Sequence, residues 1–427
     1  MRIKTAVFNH YLLFLAIISA FFGSALLSFA VGPIHLFPYR LLLLVLWIVF
    51  LYQTKGIVLL SSIRVKNSLS FMIFWFLYAF LTITWSIEKD VAIKHVIFLF
   101  INISLIFFIV YYLTNINDLI KVYYIWLMVF VLLIPLGVWE IITGNHLSVS
   151  GLNEVDKGKE FYKFAPTTVF RNQNDYATLL TLSFPMLLVG IRYFKKWLNK
   201  ALLIIILGFG LVMLLFTTSR SNYIALGLMV TFWLMFCMGK KQKMIFLSIV
   251  IFLGLILVSV FTEEMTESVT NMVSDMDALL TLGSDEDTGM EVRQNLIKNC
   301  VFFSLDTFGF GVGAGNVEYW MENSRKYFVG ETRNVHNWFF ENLANYGFVI
   351  FVGYLLTYMS IVLKLWSFWR KSDLSLKERI ICEWILVGMV GFSIASVSSS
   401  SLIAFRPQWM FFGLALAFIN SIKLRSI

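Results

Sequence analysis

Long apolar segments alternate with short polar ones along most of this 427-residue chain. An α-helix needs about 20 mostly apolar residues to cross the hydrocarbon core of a bilayer, and twelve segments are of roughly that length. They are 11–31, 36–53, 69–85, 95–113, 122–142, 175–191, 201–218, 222–239, 244–262, 347–363, 380–397 and 407–422. The pattern predicts an all-α polytopic integral membrane protein with about twelve transmembrane helices.

The composition agrees with this prediction. Hydrophobic residues make up 59% of the chain and charged residues 14%, whereas a soluble domain is about one quarter charged. The first apolar run, Tyr11 to Val31, is too long for the hydrophobic region of a cleavable signal peptide, and we expect it to remain as a span. The three cysteines are far apart in sequence, so they indicate no disulfide framework.

Two polar interruptions are much longer than the others, and they suggest a division into three parts. Residues 1–262 hold the first nine spans and the loop 143–174, residues 263–346 form a large loop between spans nine and ten, and residues 347–427 hold the last three spans. Inside the large loop, apolar residues at helical spacing predict an amphipathic helix. These are Leu296, Ile297, Cys300, Val301 and Phe303.

The distribution of basic residues predicts the orientation. Twenty of the 34 Lys and Arg residues fall in the two termini and in alternate, mostly short loops, which the positive-inside rule assigns to the cytoplasm. Both termini are then cytoplasmic, and segments 143–174 and 263–346 lie outside. The rule explains the net charge of +9, so we expect the lipid bilayer as a partner and no nucleic acid.

Four polar stretches on the outer side could carry chemistry. They are FRNQNDYATLL (170–180), FTTSRSNYIALG (216–227), MEVRQNLIKNCVFFS (290–304) and ETRNVHNWFFENLANYG (331–347). Each contains an arginine, and two further arginines lie near outer helix ends. Such arginines are often solvated or bound to lipid phosphate, but Arg220 lies in a turn too short to reach far into water, and a charge inside the bilayer costs about 2.5–3.5 kcal/mol. This favours a functional role for Arg220.

We expect neither a metal nor another cofactor. The glycine-rich GFGVGAGN (309–316) lacks the Lys and Ser/Thr of a phosphate loop, and it predicts a flexible connector that lets the backbone approach another group closely. The acidic SDEDTG (284–289) resembles half a calcium loop without the closing glutamate. No His and Cys residues have zinc-site spacing.

Arginine is suited to multidentate phosphate binding, and His336 is a titratable base in the same outer region. This combination fits a lipid-linked diphosphate glycan: arginines stabilise the departing diphosphate, and His336 accepts the proton of the acceptor hydroxyl. Glu341 either binds sugar or is a first-turn acid favoured by the helix dipole. With Arg220, Arg293 and His336 as the catalytic set, the predicted substrate ligands are Arg40, Arg171, Asn172, Asn174, Arg333, Asn337, Glu341 and Arg406.

The motif His336-Asn-x-x-x-Glu341, followed by Gly347, resembles the signature of the O-antigen ligase/polymerase family. FRNQNDYA, TTSRSN, Arg293 and GPIHLFPYR (32–40) strengthen the resemblance. It implies a GT-C-type glycosyltransferase that uses undecaprenyl-diphosphate-linked glycans at the outer face of the bacterial inner membrane. It also implies that Arg220 and Arg293 bind the diphosphate and that His336 is the essential histidine. Ser221 departs from the glycine common at that position.

The family contains two activities, which share a donor and differ in the acceptor. A polymerase joins lipid-linked repeat units, and a ligase transfers the glycan to lipid A core. We favour the polymerase, because polymerases serve capsules, teichuronic acids and O-antigens; a chain-length regulator protein would then be a further partner. A lipid-linked oligosaccharide flippase is the other alternative, but it predicts charges along a midplane cavity, whereas the polar residues here collect at one face.

Overall fold

The computed structural model describes residues 2–25, 27–31, 34–54, 62–154, 163–244, 289–371, 373–397, 399 and 402–425. Within them the chain is almost entirely helical. The helices are α1 (Arg2–Phe22), α2 (Pro38–Thr54), α3 (Lys66–Thr82), α4 (Lys89–Tyr112), α5 (Ile116–Thr143), α6 (Gln173–Tyr193), α7 (Trp197–Phe216), α8 (Arg220–Phe232), α9 (Gly289–Asp306), α10 (Val317–Asn323), α11 (Trp338–Trp369), α12 (Leu376–Ala395) and α13 (Arg406–Arg425). A π-helical turn, Trp233–Cys237, continues α8.

Seven of the described helices are long and apolar enough to cross a membrane, which confirms a helical membrane protein. They are α1, α4, α5, α6, α7, α8 with its π-helical turn, and α11. Helix α2 is also apolar but shorter. The predicted spans 69–85, 380–397 and 407–422 fall on α3, α12 and α13, which are not among the seven. The predicted span 244–262 lies, apart from its first residue, outside the described residues.

Burial explains why α12 and α13 are less apolar than a typical span. Both are buried along most of their length, α13 from Pro407 to Ile422 without interruption. Helix α12 packs against α6 and α8, and α13 packs against α4. A helix surrounded by other helices needs no continuous lipid-facing stripe and tolerates polar residues that find partners. Helices α6, α12 and α13 therefore form the centre of the bundle.

A buried carboxylate ties four of these elements together. Glu383 of α12 is fully buried. It accepts hydrogen bonds from Arg192 of α6 at 2.7 Å, Tyr193 at 2.9 Å, Trp233 of the π-helical turn at 2.7 Å and Trp369 of α11 at 3.2 Å. A buried charge is tolerated when it is paired and fully hydrogen-bonded. We call Glu383 and its four hydrogen-bond donors the Glu383 clamp.

The first predicted span, 11–31, is wrong at its C-terminal end. Helix α1 ends at Phe22, and a two-stranded antiparallel hairpin follows, with β1 at Phe29–Val31 and β2 at Ile34–Leu36. At the helix end, Gly23 has φ +52°, and the Arg406 guanidinium lies against it where a Cβ would be. An apolar pattern continues through this hairpin, so hydropathy alone did not reveal where the helix stops.

The amphipathic helix predicted in the large loop is confirmed as α9. Leu296, Cys300 and Phe303 are buried on one face. They form a second, smaller hydrophobic core with residues that include Val335, just before α11, and Ala344, in α11. The small core fixes α9 to the beginning of α11.

Helix α11 is broken at Gly347, which has φ +73°. At such a break the preceding carbonyl groups lose their donors from the next turn. Phe348 N–H donates to Gly309 O at 3.0 Å instead of continuing the helix. The freed carbonyl groups of Ala344 and Asn345 accept from Val312 N–H at 2.8 Å and Gly313 N–H at 3.0 Å. The glycine-rich segment therefore caps the break.

The same segment is held from its other side by α3 and the turn that follows it. Tyr78 OH donates to Phe310 O at 2.8 Å, and Trp85 Nε1 donates to Gly311 O at 3.0 Å. A Cβ at Gly311 would collide with the backbone at Gly347. The predicted close backbone approach is confirmed, whereas the predicted flexible connector is wrong because the segment is hydrogen-bonded on both sides.

Candidate active site

Several of the candidate residues lie at one end of the bundle, which we call the motif end: α1 ends there, and α2, α6, α8, α11 and α13 begin there. The connector between α12 and α13 joins these helix starts. Trp338 N–H of α11 donates to Ser396 O at 3.2 Å. The hydroxyl groups of Thr178 in α6 and Ser399 in the connector are 3.1 Å apart.

His336 immediately precedes the N-cap of α11 and is half-buried. Its φ of +49° is in the left-handed region, which few residues other than glycine adopt. Its backbone N–H donates to Asn334 Oδ1 at 3.0 Å. Asn337 Oδ1 accepts from the N–H groups of Phe339 and Phe340 at 3.1 and 3.3 Å, which is the N-cap arrangement. Asparagines on both sides thus hold the histidine.

Glu341 follows in the first turns of α11 and is 8% exposed. It faces a cavity of about 70 Å³, which we call the Glu341 cavity. The cavity is lined by Val91, His95, Gly315, Val317, Glu318, Asn334, Val335 and Glu341. Asn334 Nδ2 donates to Glu318 Oε1 at 3.0 Å. Asn334 therefore connects this cavity to the backbone of His336.

Arg40 and Arg406 lie together at the motif end. Their guanidinium carbons are 4.8 and 4.7 Å from the centroid of the Phe37 ring, and Arg406 also lies 5.7 Å from that of Tyr39. Cations are attracted to aromatic faces, which helps two like charges to share one site. The structure thus brings together two of the predicted phosphate ligands.

The residue before Arg171 contacts the residue before Arg406. Phe170 packs on Phe405, the residue before Arg406, with ring centroids 5.6 Å apart. The loop before Arg171 is anchored by Glu140, a buried carboxylate that accepts from the N–H groups of Thr167 and Thr168 at 2.8 and 2.7 Å. The side chain of Arg171 itself is exposed.

Arg220 is the first residue of α8, after a connector of three residues. This confirms the short turn expected there. The start of α8 is fixed to α6, because Thr181 Oγ1 donates to Asn222 Oδ1 at 2.8 Å. Arg220 is exposed, as is Arg293 on α9, and the binding of a diphosphate by this pair remains a prediction.

The other candidates have local partners. Arg333 forms an ion pair with Glu322 at 2.7 Å, with side chains 56% and 45% exposed. Asn172 is the N-cap of α6 and accepts from Asp175 N–H at 2.9 Å, while Asn174 is half-buried in the first turn. A substrate-binding role for these residues and for Asn337 remains a prediction.

Sequence reasoning missed three polar residues of the Glu341 cavity. His95 fell at the start of a predicted span, Glu318 lay outside the four polar stretches, and Asn334 lay within one of them without being singled out. The cavity unites parts of the chain that are far apart in sequence, so no local pattern revealed it. Within the described residues, no group of three His, Cys, Asp or Glu side chains is placed to hold a metal ion.

Comparisons with known proteins agree with these features. The family model described as O-antigen ligase matches residues 202–355, a range that contains Arg220, Arg293, His336 and Glu341. The teichuronic acid biosynthesis protein TuaE of Bacillus subtilis (strain 168) is 31% identical over 435 residues, which cover 99% of this chain and 88% of that protein. The chain belongs to the O-antigen ligase/polymerase family. It is accordingly a membrane enzyme of polysaccharide biosynthesis.

Proposed function

We propose that this protein is a polysaccharide polymerase of the GT-C type. It would transfer a glycan from undecaprenyl diphosphate to a lipid-linked repeat unit at the outer face of the bacterial inner membrane. The observation that carries the proposal is the placement of His336 at the same end of the bundle as Arg40, Arg171, Arg220 and Arg406. That end can meet a diphosphate whose lipid tail remains in the bilayer.

In the proposed reaction the acceptor hydroxyl oxygen bonds to the anomeric carbon of the donor glycan. The bond between that carbon and the diphosphate oxygen breaks, and its electron pair leaves with the diphosphate. The arginines stabilise the charge that develops on the leaving group. His336 accepts the hydroxyl proton, a role suited to a side chain with an ordinary pKa near 6.5.

The polymerase is supported by the relative TuaE, which is named for teichuronic acid biosynthesis. The ligase is the second candidate, because the matching family model is described as O-antigen ligase. The two activities are distinguished by the acceptor. A polymerase lengthens a lipid-linked repeat unit, and a ligase transfers the same glycan to lipid A core.

The test uses purified protein in lipid nanodiscs with lipid-linked repeat units, and it measures donor affinity and turnover separately. His336→Ala should lose roughly 10²–10⁴-fold in turnover, the range usual for a general acid or base, with little change in donor affinity. Arg220→Lys keeps the charge but loses the planar fork, so it should lose most activity. Arg325→Lys, at an exposed arginine between α10 and α11, is the matched control.

Three results would contradict parts of the proposal. Loss of donor binding in His336→Ala would make the histidine a phosphate ligand and place the base elsewhere. Near-normal product from Arg220→Lys would reduce Arg220 to a lipid anchor. Transfer to lipid A core without any lengthening of the lipid-linked repeat unit would establish the ligase.

A further inference from the structure

The carboxyl group of Glu341 lines the Glu341 cavity. The residue is 8% exposed, and among the described residues no donor forms a hydrogen bond to its carboxylate oxygens. A buried polar group without a partner is costly. The cavity must therefore supply hydrogen-bond donors, either from water or from a bound group.

The walls of the cavity favour a bound group that donates hydrogen bonds over one that only accepts them. Glu318 contributes a second carboxylate, of which Oε1 accepts from Asn334 Nδ2, and the lining contains neither lysine nor arginine. The ring of His95 packs over the backbone of Gly315 and closes one side. A ligand carboxylate would meet the Glu318 carboxylate at close range, and like charges so placed repel each other.

The size of the cavity limits what can enter. One water molecule needs about 10–15 Å³ of such space, so the cavity of about 70 Å³ holds several waters. That space accepts a substituent of a sugar ring, such as a hydroxyl, hydroxymethyl or amino group. Glu318 is exposed at the residue level, so the cavity is reached from solvent on that side.

Asn334 places this space beside the proposed base, because it bonds both Glu318 and the backbone of His336. We infer that the Glu341 cavity is a sugar subsite that takes a hydroxyl or amino substituent of the residue held next to His336, and that it rejects a uronate. Glu318 and His95 become specificity-determining residues. The inference rests on the proposed function and adds the class of sugar.

The test measures binding of methyl glycosides to purified protein in nanodiscs by saturation-transfer NMR. The probes are the methyl glycosides of glucosamine, galactosamine, glucose, galactose and glucuronic acid. At least one amino or neutral glycoside should bind roughly tenfold more tightly than the glucuronide. Glu341→Gln and Glu318→Gln keep the side-chain shape and should remove that preference, because each replaces a carboxyl group that lines the cavity with an amide.

Glu331→Gln is the matched control, since Glu331 is exposed in the same outer segment and does not line the cavity. Equal binding of the glucuronide and the other glycosides, unchanged selectivity in both glutamine variants, or no binding at millimolar concentration would each overturn the subsite. The proposed function is judged separately by the turnover of His336→Ala. Loss of the subsite with turnover still dependent on His336 would leave the polymerase intact.

Discussion

Asparagines determine the local geometry around the proposed base. The sequence analysis identified the polar motif and assigned Asn337 and Asn172 to substrate, which remains a prediction. It did not identify their second role, in which their side-chain oxygens cap α11 and α6. Asparagine is among the best N-cap residues, so a helix-start signal was available in both places. The left-handed backbone of His336 was not predicted from the sequence.

Asn334→Ala should misplace His336 without removing any proposed ligand of the diphosphate. A small displacement of a catalytic group can cost up to about 100-fold, so we expect turnover to fall about 10- to 100-fold and donor affinity to change little. Asn323→Ala is the matched control, because Asn323 is exposed and its side chain donates locally to Tyr319 O in α10. Equal losses in the two variants, or a parallel loss of donor affinity, would show general loosening of the segment instead of positioning.

At the scale of elements, the break in α11 links residues 289–337 to the membrane helices. The polar motif identified in the sequence ends at Gly347, where α11 breaks. The spacing of apolar residues also predicted α9. The sequence could not show that the glycine-rich segment caps the break, because that role depends on donors and carbonyl groups about 35 positions apart. The glycine-rich composition of this segment predicted flexibility, but tertiary hydrogen bonds hold the segment in place.

Gly347→Ala should destabilise the protein for two reasons. The residue has φ +73° and its missing Cβ would collide with Gly309 O, and a left-handed non-glycine residue alone costs about 1–3 kcal/mol. Gly208→Ala is the control, since no atom lies within 4 Å of a Cβ there and alanine is favoured inside helices. Thermal unfolding in detergent should show a clear drop in Tm for the first variant and none for the second. Similar Tm values in both would mean that α11 can run straight.

The Glu383 clamp should contribute more to the free energy of unfolding than an ion pair at the protein surface. Glu383→Ala leaves Arg192, which is 15% exposed, without its carboxylate, and breaking a buried pair typically costs about 3–5 kcal/mol. Glu322→Ala breaks the exposed pair with Arg333, for which about 0–1 kcal/mol is usual. Denaturant or thermal unfolding of both variants measures the difference, and a clamp variant as stable as the surface variant would refute the role of Glu383 in holding the helices.

For the whole molecule, hydropathy predicted where most helices lie in the sequence. It did not show which helices are enclosed by other helices. The segments 380–397 and 407–422 were predicted from sequence, and they became α12 and α13, yet only the structure shows that both are enclosed by other helices. The candidate site was likewise only partly predictable from the sequence. Its motif was visible in sequence, while the Glu341 cavity, which unites His95 with Glu341, required the fold.

The final prediction concerns orientation, on which the proposed function depends. The protein suits cysteine labelling, because Cys237, Cys300 and Cys382 are buried, and burial also raises the pKa of the Cys300 thiol, which lowers its reactivity.

Ser324→Cys, after α10, and Lys196→Cys, before α7 at the opposite end of the bundle, are both at exposed positions, so a difference between them reports membrane side instead of burial. From the positive-inside rule, an impermeant maleimide should label Ser324→Cys in intact cells and Lys196→Cys only after permeabilisation. The reverse pattern would place His336 in the cytoplasm, away from an outer-face acceptor, and the polymerase mechanism could not operate as proposed.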